Sequence, residues 1–168
     1  MKLYDPKKIL VPVDFSEWSR GVLRAGLEIG RHRSAGVSVI HVAREADYLT
    51  LYGGEITGAV SWNKFREDAQ KELEGRLREL LEEASAGPGV RSVLVFGDPA
   101  KEIVKFAESE DMDLIVMATS GRMGLSRFFL GSVTEQVIRR AHCPVLVIRA
   151  KEAEKYLNPA RVGREAMN

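Results

Sequence analysis

Cysteine is almost missing from this sequence: Cys143 stands alone among 168 residues. An intramolecular disulfide is therefore impossible, and a cysteine-based zinc site is excluded. Long apolar runs are missing too. The longest, Leu114-Ile115-Val116-Met117-Ala118, falls far short of the roughly 20 residues that span a bilayer as a helix. Neither sign of charge is in excess, with 25 Lys+Arg against 24 Asp+Glu and a formal net charge of +1. That balance argues against a dedicated nucleic-acid binder, which carries a basic excess on one face, and against a long charged tail. Lys2, Asp5, Lys7 and Lys8 precede the first apolar run, which is not the layout of a signal peptide. These absences predict a cytoplasmic chain with no membrane segment and no nucleic-acid partner.

What is present suits an ordinary globular domain. Hydrophobic residues make up 45% and charged residues 29%, a balance that can build a core. At roughly 150 residues per domain the length allows one, placed over residues 1–150. Five short β-rich runs stand out: Ile9–Val11, Val37–Val42, Val93–Phe96, Leu114–Ala118 and Val145–Ile148. Most are continuously apolar, as parallel strands covered on both faces require. Between them the period changes to that of helices. Trp18, Val22, Ala25 and Ile29 form one stripe, and Phe65, Ala69, Leu73, Leu77, Leu80, Leu81 and Ala84 a longer one. Ile103, Val104, Phe106 and Ala107 follow Asp98-Pro99, a good N-cap and first helical residue. Val133, Val137, Ile138 and Ala141 give a fourth stripe.

The order β-α-β-α-β-α-β-α-β predicts an α/β fold, a five-stranded, parallel, doubly wound, Rossmann-like sheet with helices on both faces. Such a sheet places its ligand crevice outside the carboxyl ends of the strands, where strand order reverses. The positions to search follow Val13, Val42 and Ala118. Two segments fall outside the scaffold. Residues 43–62, with Tyr48, Tyr52, Gly53, Gly54, Gly58 and Trp62, read as a long connection, either a surface insertion or a lid. Residues 151–168 read as a polar, loosely held tail.

The segment from Thr119 to Ser132 leads from a strand into a helix and contains Gly121, Gly124 and Gly131, Ser120, Ser126 and Ser132, and Arg122 and Arg127. Glycines let backbone N–H groups approach an anion, and a helix N-terminus offers unpaired donors and a favourable dipole. The segment can cradle phosphates. It matches neither a Walker A loop nor a G-x-G-x-x-G fingerprint. The competing reading is local: Ser132-x-x-Glu135 has the pattern of a capping box, and the glycines would then serve turns. Asp14, at the end of the first strand, can cap a helix, accept from a ribose, or hold a metal through water. His32, His41 and His142 are scattered with no metal-ligand spacing, and Cys143 reads as a packing residue. Glu67-Lys71, Glu72-Arg76 and Glu74-Arg78, each four apart on one helix, read as a solvated ion-paired face.

Several of these segments together resemble the universal stress protein family. They are Lys8-Ile9-Leu10-Val11-Pro12-Val13-Asp14-Phe15-Ser16, Gly97-Asp98-Pro99-Ala100, Asp113 to Met117, Gly131-Ser132-Val133-Thr134-Glu135-Gln136-Val137, and Cys143 to Ile148. The match runs from about Lys7 to Arg149. The resemblance implies an adenine nucleotide alpha hydrolase-like sheet, and a homodimer formed through the last strand, Val145–Ile148. For one branch of the family it also implies ATP, with Mg²⁺ or Mn²⁺, in a G-x2-G-x9-G-[ST] loop. Carried over, Gly121, Gly131 and Ser132 fill three fixed positions, and Ala118 stands at the first. By the same resemblance, Pro12, Val13, Asp14 and the backbone near Val42 would line the base and ribose. Gly121, Arg122, Gly124, Gly131, Ser132, Val133 and Thr134 would surround the phosphates. The implied function is a nucleotide-dependent switch in stress response, with slow ATPase activity at most and an unknown protein partner. The alternative is a nucleotide-free dimeric interaction module whose site is lost through Ala118.

Overall fold

The computed structural model describes residues 4–44, 59–119 and 131–149, together with Glu152, Ala153 and Tyr156; for residues 59–63 and 65 it describes the backbone alone. The elements are β1 (Lys8–Val13), α1 (Ser19–Arg33), β2 (Gly36–Ala43), α2 (Ala59–Glu83), β3 (Arg91–Phe96), α3 (Pro99–Ser109), β4 (Leu114–Ala118), α4 (Ser132–Arg140) and β5 (Val145–Ile148). All pairings are parallel, in the order β3-β2-β1-β4-β5.

Side chains on a strand alternate between faces, and β1 feeds two cores accordingly. Ile9, Val11 and Val13 join Val22 and Leu23 of α1 and Leu77 and Leu80 of α2. Leu10 joins Ile40 and Val42 of β2, Ala100, Ile103 and Ala107 of α3, and Val137 of α4. Ile9, Leu10 and Val11 are wholly buried, which is why this strand reads as an unbroken apolar run. Asp98 caps α3 as expected, its Oδ1 accepting from the Lys101 N–H at 3.0 Å, with Pro99 opening the helix.

Three expectations change. Ala43 closes β2 and α2 begins at Ala59, so the connection between them is 44–58 rather than 43–62. Ile138 is exposed on α4, and the buried face of that helix is Thr134 and Val137. The residues after β5 are held, not loose, at Ala153. That residue is fully buried against the α1 face, and the Tyr156 carbonyl accepts from Arg24 Nη1 at 3.2 Å. Gly21 makes this docking possible, since a Cβ there would lie 2.4 Å from the Ala153 carbonyl oxygen. Gly26 similarly lets α1 approach β1, where an added Cβ would meet Val11 Cγ2 at 2.5 Å.

The Gly21 contact yields a sign reversal. In the full chain Gly21→Ala is expected to destabilise, although alanine favours a helix over glycine by about 1 kcal/mol. With residues 150–168 deleted the obstacle is gone, and the same substitution is expected to stabilise. Urea melts of the four variants read this directly. An equal effect in both backgrounds would show that the Ala153 contact contributes nothing.

Candidate functional site

The chain leaves β1 for β2 and β3 on one side, and places β4 and β5 on the other. The reversal therefore lies between β1 and β4. At the amino end this seam is closed: Asp113 Oδ2 accepts from the Lys7 and Lys8 N–H groups at 2.8 Å each. At the carboxyl end it is not laddered. Pairing of β1 with β2 continues to Val13↔His41, whereas pairing with β4 ends at Leu10↔Ile115. The Lys8 carbonyl accepts from Asp113 N–H on the β4 side, so by the two-residue period Leu10 and Pro12 face the same neighbour. Pro12 has no N–H to continue the ladder.

Asp14 follows directly. Its Oδ1 accepts from the Ser16 N–H and from Ser19 Oγ, both at 3.0 Å, and Ser19 Oγ in turn accepts from the Asp14 N–H at 3.3 Å. Asp14 is thus not the N-cap of α1; that position is Trp18, which makes no side-chain cap bond. The carboxylate instead organises the whole β1–α1 turn. Phe15 turns with a left-handed φ of 57°, and its ring centroid lies 4.1 Å from that of His41. His41 is buried, and its Nδ1 bonds the Val13 carbonyl at 2.8 Å. A carbonyl only accepts, so Nδ1 carries the proton. The Arg76 guanidinium lies 4.4 Å from the Phe15 ring centroid. Arg76 therefore does more than face solvent.

Val13 and Val42 place their side chains in the two cores, so only their backbones can meet a ligand. The Ala43 carbonyl accepts from Gly97 on the β3 side, and Val42 therefore directs its backbone groups toward β1. Because β1 ends opposite His41, the Val42 carbonyl lies one residue past the ladder.

Across the seam, β4 ends at Ala118. It is not among the left-handed residues; it is ordinary strand backbone, where alanine carries no penalty, and its methyl packs toward the α1 core. Thr134 is buried and donates from Oγ1 to the Ala118 carbonyl at 3.0 Å. Its hydroxyl is thereby committed to the protein, leaving its backbone N–H as the group a phosphate could use. The capping-box expectation fails here: Gly131 is the N-cap, and no side-chain cap bond is made. The Glu135 N–H is bonded to the Gly131 carbonyl at 3.0 Å. The N–H groups of Ser132, Val133 and Thr134 precede it, at the positive end of the helix dipole. Gly121, Arg122, Gly124 and Arg127 lie outside the described residues.

The remaining candidates lie elsewhere. His32 pairs loosely with Glu28 on α1, and His142 is exposed beyond α4. Burial, first of all, pushes the Cys143 thiol above its ordinary pKa, which keeps it protonated and suits packing. No helix among the described residues is long and apolar enough to cross a membrane.

Comparison with known proteins bears on this arrangement. The model of the universal stress protein family matches residues 6–149. The chain belongs to this family. Universal stress protein MJ0531 of Methanocaldococcus jannaschii is 36% identical to it over 149 residues, covering 88% of this chain and 85% of the relative. Universal stress protein MJ0577 of the same organism is 34% identical over 161 residues. Its solved structure superposes with a TM-score of 0.69, covering 88% of this chain and 97% of that one. The universal stress protein of Archaeoglobus fulgidus, solved in complex with dAMP, is 26% identical with a TM-score of 0.56, covering 84% and 96%. Within this family fold, sequence reasoning missed the roles of Ser19, Phe15, His41 and Arg76. Strand register places His41 beside Val13, α2 brings Arg76 to the Phe15 ring, and Ser19 meets Asp14 within the β1–α1 turn.

Thr134 offers the direct test of how the β4 rim is held. Thr134→Val keeps the shape, removes the donor and leaves the Ala118 carbonyl unpaired, an expected loss of about 1–3 kcal/mol. Thr134→Ser keeps the donor and loses one methyl, about 1 kcal/mol. Denaturant melts compare them, and a valine variant as stable as the native chain would remove the bond from the account.

Proposed function

We propose that this universal stress protein binds ATP at the β1/β4 seam and works as a nucleotide-dependent switch. The observation that carries the reading is the pairing of opposite polarities across one crevice. On the β1/β2 side stand acceptors, the Val42 carbonyl and the Asp14 carboxylate. On the β4 side stand donors, the first N–H groups of α4. An adenine amino group and a ribose hydroxyl fit the first set, and phosphates fit the second. The dAMP complex of the Archaeoglobus fulgidus relative supports an adenine nucleotide. ATP rather than AMP is the reading carried by the Gly121, Gly131 and Ser132 pattern.

A divalent cation would come with the nucleotide rather than wait in the protein. Among the described residues no three His, Cys, Asp or Glu side chains gather as a metal site. Mg²⁺ is commonly held by phosphates with one or two carboxylates, and among the described residues Asp14 places a carboxylate at the end of β1 beside the seam. Asp14 Oδ1 is committed to Ser16 and Ser19, so the residue orients a ligand more readily than it takes a proton. The reading keeps hydrolysis at most slow, with Asp14 as a binding rather than a catalytic group. The working unit in this reading is a cytoplasmic homodimer through β5. That strand ends the sheet and exposes Leu146, an apolar edge that a second copy would cover.

The alternative of a site lost through Ala118 has less ground than its residue type suggests, because the backbone there needs no glycine. Equilibrium titration with Mg-ATP tests the proposal, with saturable binding at or below millimolar nucleotide as the expected result. Gly131 has an ordinary φ of −57° that valine can adopt. Gly131→Val is therefore expected to fold with a native circular dichroism spectrum and to abolish binding. No saturation in the native chain, with saturation restored by Ala118→Gly, would establish the nucleotide-free module instead.

A further inference from the structure

We infer that His41 is a positioning residue for Asp14, acting through the residues on either side of it; the inference rests on the nucleotide reading of the same crevice. His41 holds Asp14 at both flanks. Before it, the His41 Nδ1–H binds the Val13 carbonyl at 2.8 Å. After it, the imidazole lies against the Phe15 ring, centroids 4.1 Å apart and planes tilted by 39°. Asp14 is the single residue between these two anchors.

The need for anchoring is visible in the backbone. Phe15 takes a φ of 57°, a conformation that costs a bulky side chain energy and persists only where the surroundings enforce it. The ring is enforced from several elements. His41 comes from β2, the Arg76 guanidinium from α2 lies 4.4 Å from its centroid, and both the α1/α2 core and the smaller Ala43–Ala69–Leu73 cluster pack against it. A glycine at this position would adopt the turn without strain. Phenylalanine instead converts the turn into a part of the core, and Asp14 inherits the rigidity. Its Oδ1 is then fixed from within by Ser16 and Ser19. The role assigned to His41 is thus one of geometry.

The experiment is a double-mutant cycle on ATP affinity in the full-length protein, with thermal melts of each variant. His41→Asn keeps an N–H donor for the Val13 carbonyl and loses the ring; His41→Phe keeps the ring and loses the donor. Each is expected to weaken ATP binding about three- to tenfold, a size typical of coupled neighbours in one network. In an Asp14→Ala background, neither is expected to weaken it further. Phe15→Gly, which removes the strain together with the stack, is expected to match the His41 variants. Additive losses in the Asp14→Ala background, or full affinity in Phe15→Gly, would overturn the inference while leaving nucleotide binding intact. A native chain that does not bind ATP would overturn the nucleotide reading and this inference together. A variant too unstable to titrate is replaced in the cycle by the other His41 substitution.

Discussion

Burial of β1 on both faces constrains everything else in this structure. Ile9, Leu10 and Val11 are wholly buried, with alternate side chains in separate cores. Parallel neighbours require crossovers, and the crossovers supply the helices that cover the two faces. All strands then end on one side of the sheet. A chain that extends the sheet first toward β2 and later toward β4 must open a seam between β1 and β4 at that side. The seam is thus a consequence of topology. Pro12 sharpens it by ending the β1–β4 ladder early, while Asp113 keeps the opposite end closed.

How much of this was legible in the sequence depended on whether a signal was local. The strands and the helical stripes were, because periodicity needs no partner; so was the Asp98-Pro99 start of α3, where cap and proline act on adjacent backbone. That strand order reverses within the sheet was also legible, since alternation of elements implies it. What failed were features set by contacts between distant segments. Ser132 has the residue type and spacing of a cap, yet the helix starts on Gly131, and the buried hydroxyl on α4 is Thr134, which reaches back to Ala118. Ala153 reads as part of a polar tail, and only the missing side chain of Gly21 reveals its seat. His41 reads as one histidine among three. Its importance comes from register, which no single-strand pattern contains.

The departure at Ala118 shows why residue type alone misleads at a strand end. A glycine in a phosphate loop suggests a left-handed turn or a close backbone approach. Here the position lies in regular strand, paired with Ile148 of β5 and bonded through its carbonyl to Thr134. Neither constraint depends on the side chain, so alanine can stand there with the backbone unchanged.

The buried polar residues gather at the seam. At the seam β4 leaves its Ala118 carbonyl beyond the ladder with β1, and a buried carbonyl without a donor is costly. Among the described residues the buried polar side chains are Ser19, Ser38, His41 and Thr134. Three of them serve this one seam: His41 adds a side-chain bond to the Val13 carbonyl at the end of β1, Thr134 satisfies the last carbonyl of β4, and Ser19 holds the carboxylate that follows β1. Their concentration around the seam fixes the two strand ends from inside. Such a rim is pre-organised before any ligand arrives, which favours binding by lowering the ordering cost. A pre-organised rim whose carboxylate is already bonded to Ser16 and Ser19 matches the proposed role of holding a nucleotide.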